Sequence, residues 1–76
     1  MIPIKELLNK IKWDKKENPE EYTIHYLDRI TKKLKKIAYI DISEIEGTFM
    51  LVGESNIPLH RIKQVRKKGE VIWQRR

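Results

Sequence analysis

The sequence has no cysteine and few glycines or prolines, and each absence removes a class of protein. Without cysteine there is no disulfide framework and no thiolate zinc site, so packing, hydrogen bonds and ion pairs must stabilise the fold. Three glycines and three prolines leave no low-complexity tract, and no internal repeat is visible. We expect one compact domain, residues 1–76, that buries only about 60% of its unfolded surface.

Long hydrophobic runs are also missing. The longest, such as residues 49–52, are too short to span a bilayer. The first six residues, 1–6, lack the basic segment and apolar stretch of a secretory signal. These features predict a cytoplasmic protein that is neither secreted nor inserted in a membrane.

Acidic residues are scarce in two segments, and these segments hold the excess of basic residues that gives the net charge of +6. Residues 29–38 carry five bases and no acid, and residues 58–76 carry seven bases and one acid. Elsewhere acids outnumber bases, by six to five in residues 1–28 and by four to none in residues 39–57. If the fold places the two basic segments side by side, their summed field attracts polyanions such as nucleic acids.

The lysines of the first basic segment also have a simpler interpretation. Lys32, Lys33, Lys35 and Lys36 can form a solvated face that keeps the protein soluble. An acidic membrane surface would attract the same charge. The second basic segment favours an anionic partner over simple solvation.

An amphipathic helix is predicted at the beginning of the chain. Its stripe has apolar residues at i, i+3, i+4 and i+7: Ile4, Leu7, Leu8 and Ile11. Pro3 suits the first helical position, because its missing N–H would be unpaired there anyway. Trp13 is expected to cover the end of the stripe, within the core.

Two strands joined as a hairpin are predicted next. Residues 14–21 are charged, aperiodic and contain a proline, so they are expected to form a loop. Residues 22–29 are rich in aromatic and β-branched side chains and alternate as a strand does, with Tyr22, Ile24 and Tyr26 on one side. Residues 30–38 have apolar residues at helical spacing but can also return as a hairpin strand, which we prefer.

The middle of the chain is interpreted as a buried strand between two turns. Residues 41–44 are expected to form a short turn. Residues 45–52 are predicted to be a buried strand, because the run at 49–52 leaves no polar face. Residues 53–56 have the composition of a turn.

A second hairpin is predicted near the end of the chain, turning at residues 67–69. Because lysine disfavours the positive φ of a type I′ turn, we predict a type I turn with Gly69 as the bulge residue and Val65 opposite Val71. This register sends Trp73 to the core. A slip of one residue would place Trp73 beside arginines instead.

Side chains that could carry catalysis are few. The two serines lie in no nucleophile elbow, the glycines form no phosphate loop, and the histidines have no ligand partners at metal spacing. One enzymatic alternative is RNA cleavage or cyclic-phosphate opening by His25 and His60 as an acid–base pair, with Arg61 neutralising the phosphorane. Neither histidine has the His-x-Thr/Ser form of two-histidine phosphoesterases. We therefore prefer a binding protein with no cofactor and no metal.

His60 and Arg61 form a candidate phosphate-binding pair. An arginine fork can hold two phosphate oxygens, and a neighbouring imidazole can add a third donor. In a structural alternative, His60 caps a turn and Arg61 pairs with an acid such as Asp28. Aromatic rings can stack on splayed bases, and Tyr26 and Tyr39 are favoured for exposure by their basic neighbours.

Four motifs together resemble a known family. They are Ile-x-Trp-Asp at 11–14, Tyr-Thr-Ile-x-Tyr-x-Asp-Arg at 22–29, Ile-Pro-x-His-Arg-Ile at 57–62 and Gly-Glu-x-Ile-Trp-x-Arg at 69–75. Across nearly its whole length the chain resembles an uncharacterised archaeal family. That family is similar to a domain named for recognition of RNA cyclic-phosphate ends, whose eukaryotic forms are joined to RNA-processing modules.

The resemblance implies a set of site residues. The positions that match are Asp28, Arg29, His60, Arg61 and Arg75. One position departs from the eukaryotic pattern, because Gln74 stands where an acidic residue often lies between the Trp and the final Arg. No role is carried over for that position.

The sequence thus predicts an α+β fold, with an N-terminal helix packed on a small, strongly bent antiparallel sheet of about five strands. The first functional hypothesis is an RNA-end-binding module. In it Arg61 and Arg29 hold phosphate, His60 donates a hydrogen bond, Asp28 orients an arginine, and Lys32, Lys33 and Lys35 supply non-specific attraction. The alternatives are a subunit whose basic surface docks on a protein of an RNA-processing complex, and the two-histidine phosphodiesterase. Oligomeric state does not follow from the sequence.

Overall fold

The computed structural model describes residues 3–75, which form one α-helix and seven strands. The helix, α1, spans Ile4–Trp13. The strands are β1 Tyr22–Leu27, β2 Leu34–Ala38, β3 Ile42–Glu46, β4 Phe49–Val52, β5 Ser55–Pro58, β6 Ile62–Lys67 and β7 Glu70–Gln74. Three short 3-10 turns, Pro19–Glu21, Tyr39–Asp41 and Leu59–Arg61, lead into β1, β3 and β6. The predicted α+β class, with an N-terminal helix and antiparallel strands, is confirmed.

The strands form two antiparallel sheets. The larger has the order β2-β1-β6-β7 and the smaller the order β3-β4-β5. Because β1 lies between β2 and β6, the two basic segments of the sequence are separated by a single strand. Two strand spacings are about 10 Å, so the fold meets the condition under which the two charge clusters act together.

The core lies between α1 and one face of the larger sheet. The predicted helical stripe is buried, with Leu8 fully enclosed. It packs against inward residues of the strands, among them Ile24, Val65 and Trp73. Met50 and Leu59 add contacts from the smaller sheet and the third 3-10 turn. The predicted burial of Trp73 is confirmed.

The predicted burial of Trp13 is wrong, since its side chain is 76% exposed. An α-helix has 3.6 residues per turn, so Trp13 stands about two and a half turns beyond Ile4, on the opposite side of the helix from the buried stripe. Its ring instead lies under the Lys12 ammonium, with 5.9 Å between Nζ and the ring centroid. Helical geometry alone therefore excludes Trp13 from the core.

The predicted strand at residues 45–52 is also wrong as a single element. Gly47 adopts a positive φ of 58° and turns the chain between β3 and β4. The predicted turn at 41–44 therefore falls largely in β3, and Phe49 is partly exposed while Met50 is buried. The predicted turn at 53–56 is confirmed only for its first half, because Ser55 and Asn56 begin β5.

The hairpins at the two sides of the larger sheet, β1–β2 and β6–β7, were predicted with different success. Residues 34–38 form β2 and pair with β1, so the hairpin-strand interpretation is confirmed. The β6–β7 register is shifted by one at the turn, with Lys67 opposite Glu70, and a bulge between Val65 and Arg66 then places Val65 opposite Trp73. Lys68 and Gly69 have φ values of 52° and 84°. The turn is thus the two-residue type with two positive φ angles that the lysine was expected to prevent.

Candidate functional site

An open cleft lies where the end of β1 and the β1–β2 loop approach the β4–β5 hairpin and the third 3-10 turn. Its volume is about 420 Å³. Four of the residues that line it were predicted as site residues: Tyr26, Asp28, Arg29 and Arg61. The fold therefore brings together the Asp-Arg motif of β1 and the arginine of the Pro-x-His-Arg motif, which are far apart in sequence.

Asp28 determines the shape of the β1–β2 loop. Its Oδ1 accepts hydrogen bonds from the backbone N–H of Ile30 at 2.7 Å and of Thr31 at 3.1 Å. Its own N–H donates to the Lys33 carbonyl, and its carbonyl accepts from the Lys32 N–H, both at 2.9 Å. This is the turn chemistry that a short acidic side chain provides. Asp28 thereby holds Arg29 and Ile30 at the rim of the cleft.

The Asp28 carboxylate also pairs with Lys35, whose Nζ lies 2.8 Å from Oδ2. The hydrogen bond from Lys35, together with those from the two loop N–H groups, lowers the pKa of Asp28 to about 2. The same pair raises the pKa of Lys35. Asp28 therefore orients a lysine and its own loop, whereas the sequence hypothesis had it orient an arginine.

The two cleft arginines are available to a ligand. Within residues 3–75, neither Arg29 nor Arg61 has a side-chain hydrogen-bond or ion-pair partner. Arg61 ends the third 3-10 turn, which is anchored when the Leu59 N–H donates to the Thr48 carbonyl at 2.8 Å. Because Lys35 occupies Asp28, the alternative in which Arg61 pairs with Asp28 has no support in this geometry.

Apolar side chains also line the cleft. Tyr26 is half-buried, Phe49 is 44% exposed and Ile30 is 88% exposed. Ser55 and Asn56, at the start of β5, add hydroxyl and amide groups. Sequence reasoning missed Ile30, Phe49, Ser55 and Asn56, because Phe49 was assigned to a buried strand and the other three had no distinguishing motif.

His60 and Arg75 are not brought to this cleft. Both line a separate groove beside the start of α1, together with Lys5 and Thr48. Arg75 donates from Nε to the Ile62 carbonyl at 2.9 Å and from Nη2 to the Leu59 carbonyl at 3.3 Å. These bonds tie the end of the chain to the turn that carries Arg61, so Arg75 has a structural position.

The other candidate residues do not line the cleft. Lys32 and Lys33 are exposed on the β1–β2 loop, and Lys32 has a positive φ of 57°. Tyr39, expected to be exposed, is instead buried, and its hydroxyl donates to the Leu8 carbonyl at 2.8 Å. His25 lies on the face of β1 turned away from α1, so the two histidines of the phosphodiesterase hypothesis line neither the cleft nor a common surface.

Two further observations concern other classes of site. Within residues 3–75, no three His, Asp or Glu side chains are grouped so that they could hold a metal ion. No helix in that part of the chain is long and apolar enough to cross a bilayer.

The described residues thus form a small α+β domain whose open cleft is lined by two arginines, neither of which has a side-chain partner within residues 3–75. The family model described as the MJ1316 RNA cyclic group end recognition domain matches residues 1–75. The UPF0248 protein MMP0286 of Methanococcus maripaludis is 39% identical over 75 residues, which cover 96% of this chain and 99% of the relative. The UPF0248 protein SSO2687 of Saccharolobus solfataricus is 36% identical over 79 residues, with 97% and 98% covered. No solved structure shows a significant match. The chain therefore belongs to the MJ1316 RNA cyclic group end recognition domain family.

Proposed function

We propose that the chain is a non-catalytic RNA-binding module that seats the phosphorylated end of a strand in the cleft between Arg29 and Arg61. The observation that carries this proposal is that both arginines line one cleft and have no side-chain partner among residues 3–75. A guanidinium binds phosphate through two parallel N–H donors and cannot lose its charge. Two such groups at one cavity match an anion with several oxygens.

Asp28 supports this site without competing for it. Its carboxylate is occupied by Lys35 and by two backbone N–H groups, so it does not neutralise either arginine. It keeps the β1–β2 loop in the turn that presents Arg29. Asp28 acts in this proposal as a positioning residue.

The apolar side chains that line the cleft offer a contact surface for the terminal nucleoside. Tyr26 and Phe49 offer ring surface, on which nucleobases stack. Ser55 and Asn56 offer donors and acceptors for ribose hydroxyls. A site with these parts reads the end of an RNA strand and leaves the base sequence largely unread.

Preference for a cyclic end, which the family description names, requires more than charge. A 2′,3′-cyclic phosphate is a diester with one negative charge, whereas a 3′-monophosphate carries about −1.5 to −2 at neutral pH. Two arginines alone would therefore bind the monophosphate more tightly. We propose that contact of the cyclic ring with the apolar side chains that line the cleft overcomes this difference.

The test is binding of a labelled trinucleotide that ends in a 2′,3′-cyclic phosphate, a 3′-phosphate or a 3′-hydroxyl. The cyclic end is expected to bind most tightly and to stay intact. Arg29→Gln and Arg61→Gln should each weaken that binding about tenfold or more, since a hydrogen bond to a charged group contributes about 1.5–3 kcal/mol.

Lys16→Gln is the matched control, because it removes one exposed charge from the loop between α1 and β1, which does not line the cleft. If Arg61→Gln and Lys16→Gln weaken binding equally, the cleft is not the site. If the 3′-phosphate binds best, the module recognises charge and the proposed preference for the ring is wrong. Opening of the ring during the measurement would contradict a non-catalytic role.

A further inference from the structure

The larger sheet has one face that nothing in the described chain covers. Helix α1 packs against the face that carries Tyr22, Ile24 and Val65, all of which are buried. Successive side chains of a strand point to opposite faces. Thr23 and His25 of β1 therefore lie on the other face, which is turned away from α1.

Residues paired directly across antiparallel strands share a face. His25 is opposite Lys36 on one side and Gln64 on the other, and Thr23 is opposite Arg66. We call Thr23, His25, Lys36, Gln64 and Arg66 the outer sheet face. It spans β2, β1 and β6, a width of about 10 Å.

The outer sheet face is basic. It carries Lys36 and Arg66, and the single acid within the four strands is Glu70, opposite Lys67. Lys67 faces the helix side, where its Nζ lies 3.3 Å from Glu17 and 5.7 Å from the Tyr22 ring centroid. No strand residue of this sheet thus places a negative charge on the outer face.

The positive charge of the outer sheet face also affects the pKa of His25. Partial burial, then the charges of Arg66 from β6 and Lys36 from β2, lower the pKa of His25. The cationic form of the imidazole is therefore opposed from both neighbouring strands. An anion laid over the face would relieve this repulsion.

The outer sheet face continues into the cleft. Beyond the His25–Lys36 pair, the next pair on the same face of β1 and β2 is Leu27 with Leu34. Leu27 lines the cleft, and Asp28 and Arg29 follow it directly. A strand whose end lies at Arg29 therefore has a path across β1 toward Lys36 and Arg66.

We infer that the outer sheet face holds the sugar–phosphate backbone of the RNA strand whose terminal nucleotide occupies the cleft. This inference rests on the proposed function. The face has no Phe, Tyr or Trp, so apart from the His25 imidazole it offers charge and hydrogen bonds and no ring for stacked bases. The contact is consequently independent of base sequence.

The experiment compares two RNAs that share the same cyclic end, the trinucleotide and one of about a dozen nucleotides. The longer RNA should bind more tightly, with a log–log salt slope steeper by about 0.7 for each additional phosphate contact. In Lys36→Gln/Arg66→Gln this gain from length should disappear, while the trinucleotide binds as it does to the unaltered protein. Lys12→Gln/Lys16→Gln, which removes two exposed charges elsewhere, should keep the gain.

The outcomes separate this inference from the proposed function. If the trinucleotide binds and the longer RNA gains nothing, or if the gain survives Lys36→Gln/Arg66→Gln, the outer sheet face does not hold RNA although the end site stands. If neither RNA binds, the proposed function fails first, and the face is left for an acidic protein. NMR titration of His25 gives a second readout that needs no variant, because its pKa should rise with the longer RNA and stay unchanged with the trinucleotide.

Discussion

At the scale of single residues, the structure gives the two members of the Asp28-Arg29 pair different roles. The Asp28 carboxylate is bonded to its own loop and to Lys35, while the Arg29 side chain has no partner within residues 3–75. The sequence could not distinguish these roles, because an aspartate beside a basic segment can pair with any of several arginines and lysines. The side-chain geometry of one short loop makes the distinction.

Asp28 also predicts a pH dependence. Its folded-state pKa of about 2 lies below the ordinary value of 3.8. A lowered pKa means that the carboxylate stabilises the fold fully above the ordinary value, and that this contribution is lost as the pH falls through the folded value. The urea midpoint of the protein should therefore fall between about pH 4 and pH 2 more steeply than that of Asp28→Asn. Equal pH profiles for the two proteins would show that the carboxylate is not stabilising.

At the scale of elements, two stretches of the chain follow the same course. Each runs from a strand through a 3-10 turn into another strand, with Tyr39 buried in one turn and Leu59 in the other. No repeat was evident in the sequence, because the outward residues differ. The first turn presents Ile40 and Asp41, whereas the second presents His60 and Arg61. Only the second therefore delivers a cation to the cleft.

The β6–β7 turn gives a prediction about backbone conformation. Gly69 has a φ of 84° and open space where a Cβ would stand. Gly69→Ala should therefore lower the free energy of unfolding by about 1–2 kcal/mol through backbone strain alone. Lys68→Asn should raise the urea midpoint, since Asn-Gly suits this turn and the exposed Lys68–Glu21 pair contributes little. A Gly69→Ala protein as stable as the original would argue against the two-residue turn.

At the scale of the whole molecule, the core is thin, so the stability of the fold depends on a few buried side chains. The side chain of Leu8, on α1, is fully buried in the core, and the Leu8 carbonyl accepts the hydrogen bond from the Tyr39 hydroxyl. Leu8→Ala should lower the free energy of unfolding by about 2–5 kcal/mol, because it leaves a cavity in the centre of the core. That is a large share of the stability of a small domain.

Leu34→Ala is the matched control for this substitution. Leu34 is 55% exposed on the edge strand β2, so its truncation should change the urea midpoint little. Urea unfolding followed by circular dichroism measures both variants. Equal losses would mean that the core does not lie between α1 and the larger sheet.

Local patterns in the sequence determined the helix, the β1–β2 hairpin and the two basic segments. These follow from the spacing of apolar residues and from the order of charges, which any compact fold must respect. Three-dimensional geometry decided the rest. Asp28 binds Lys35 because of the turn of the β1–β2 loop, and Arg61 and Phe49 join Arg29 at one cleft because of how the two sheets meet. The positive φ of Lys68 belongs to the same group, because the pairing of β6 with β7 and the seating of Trp73 in the core outweigh the local preference of one lysine.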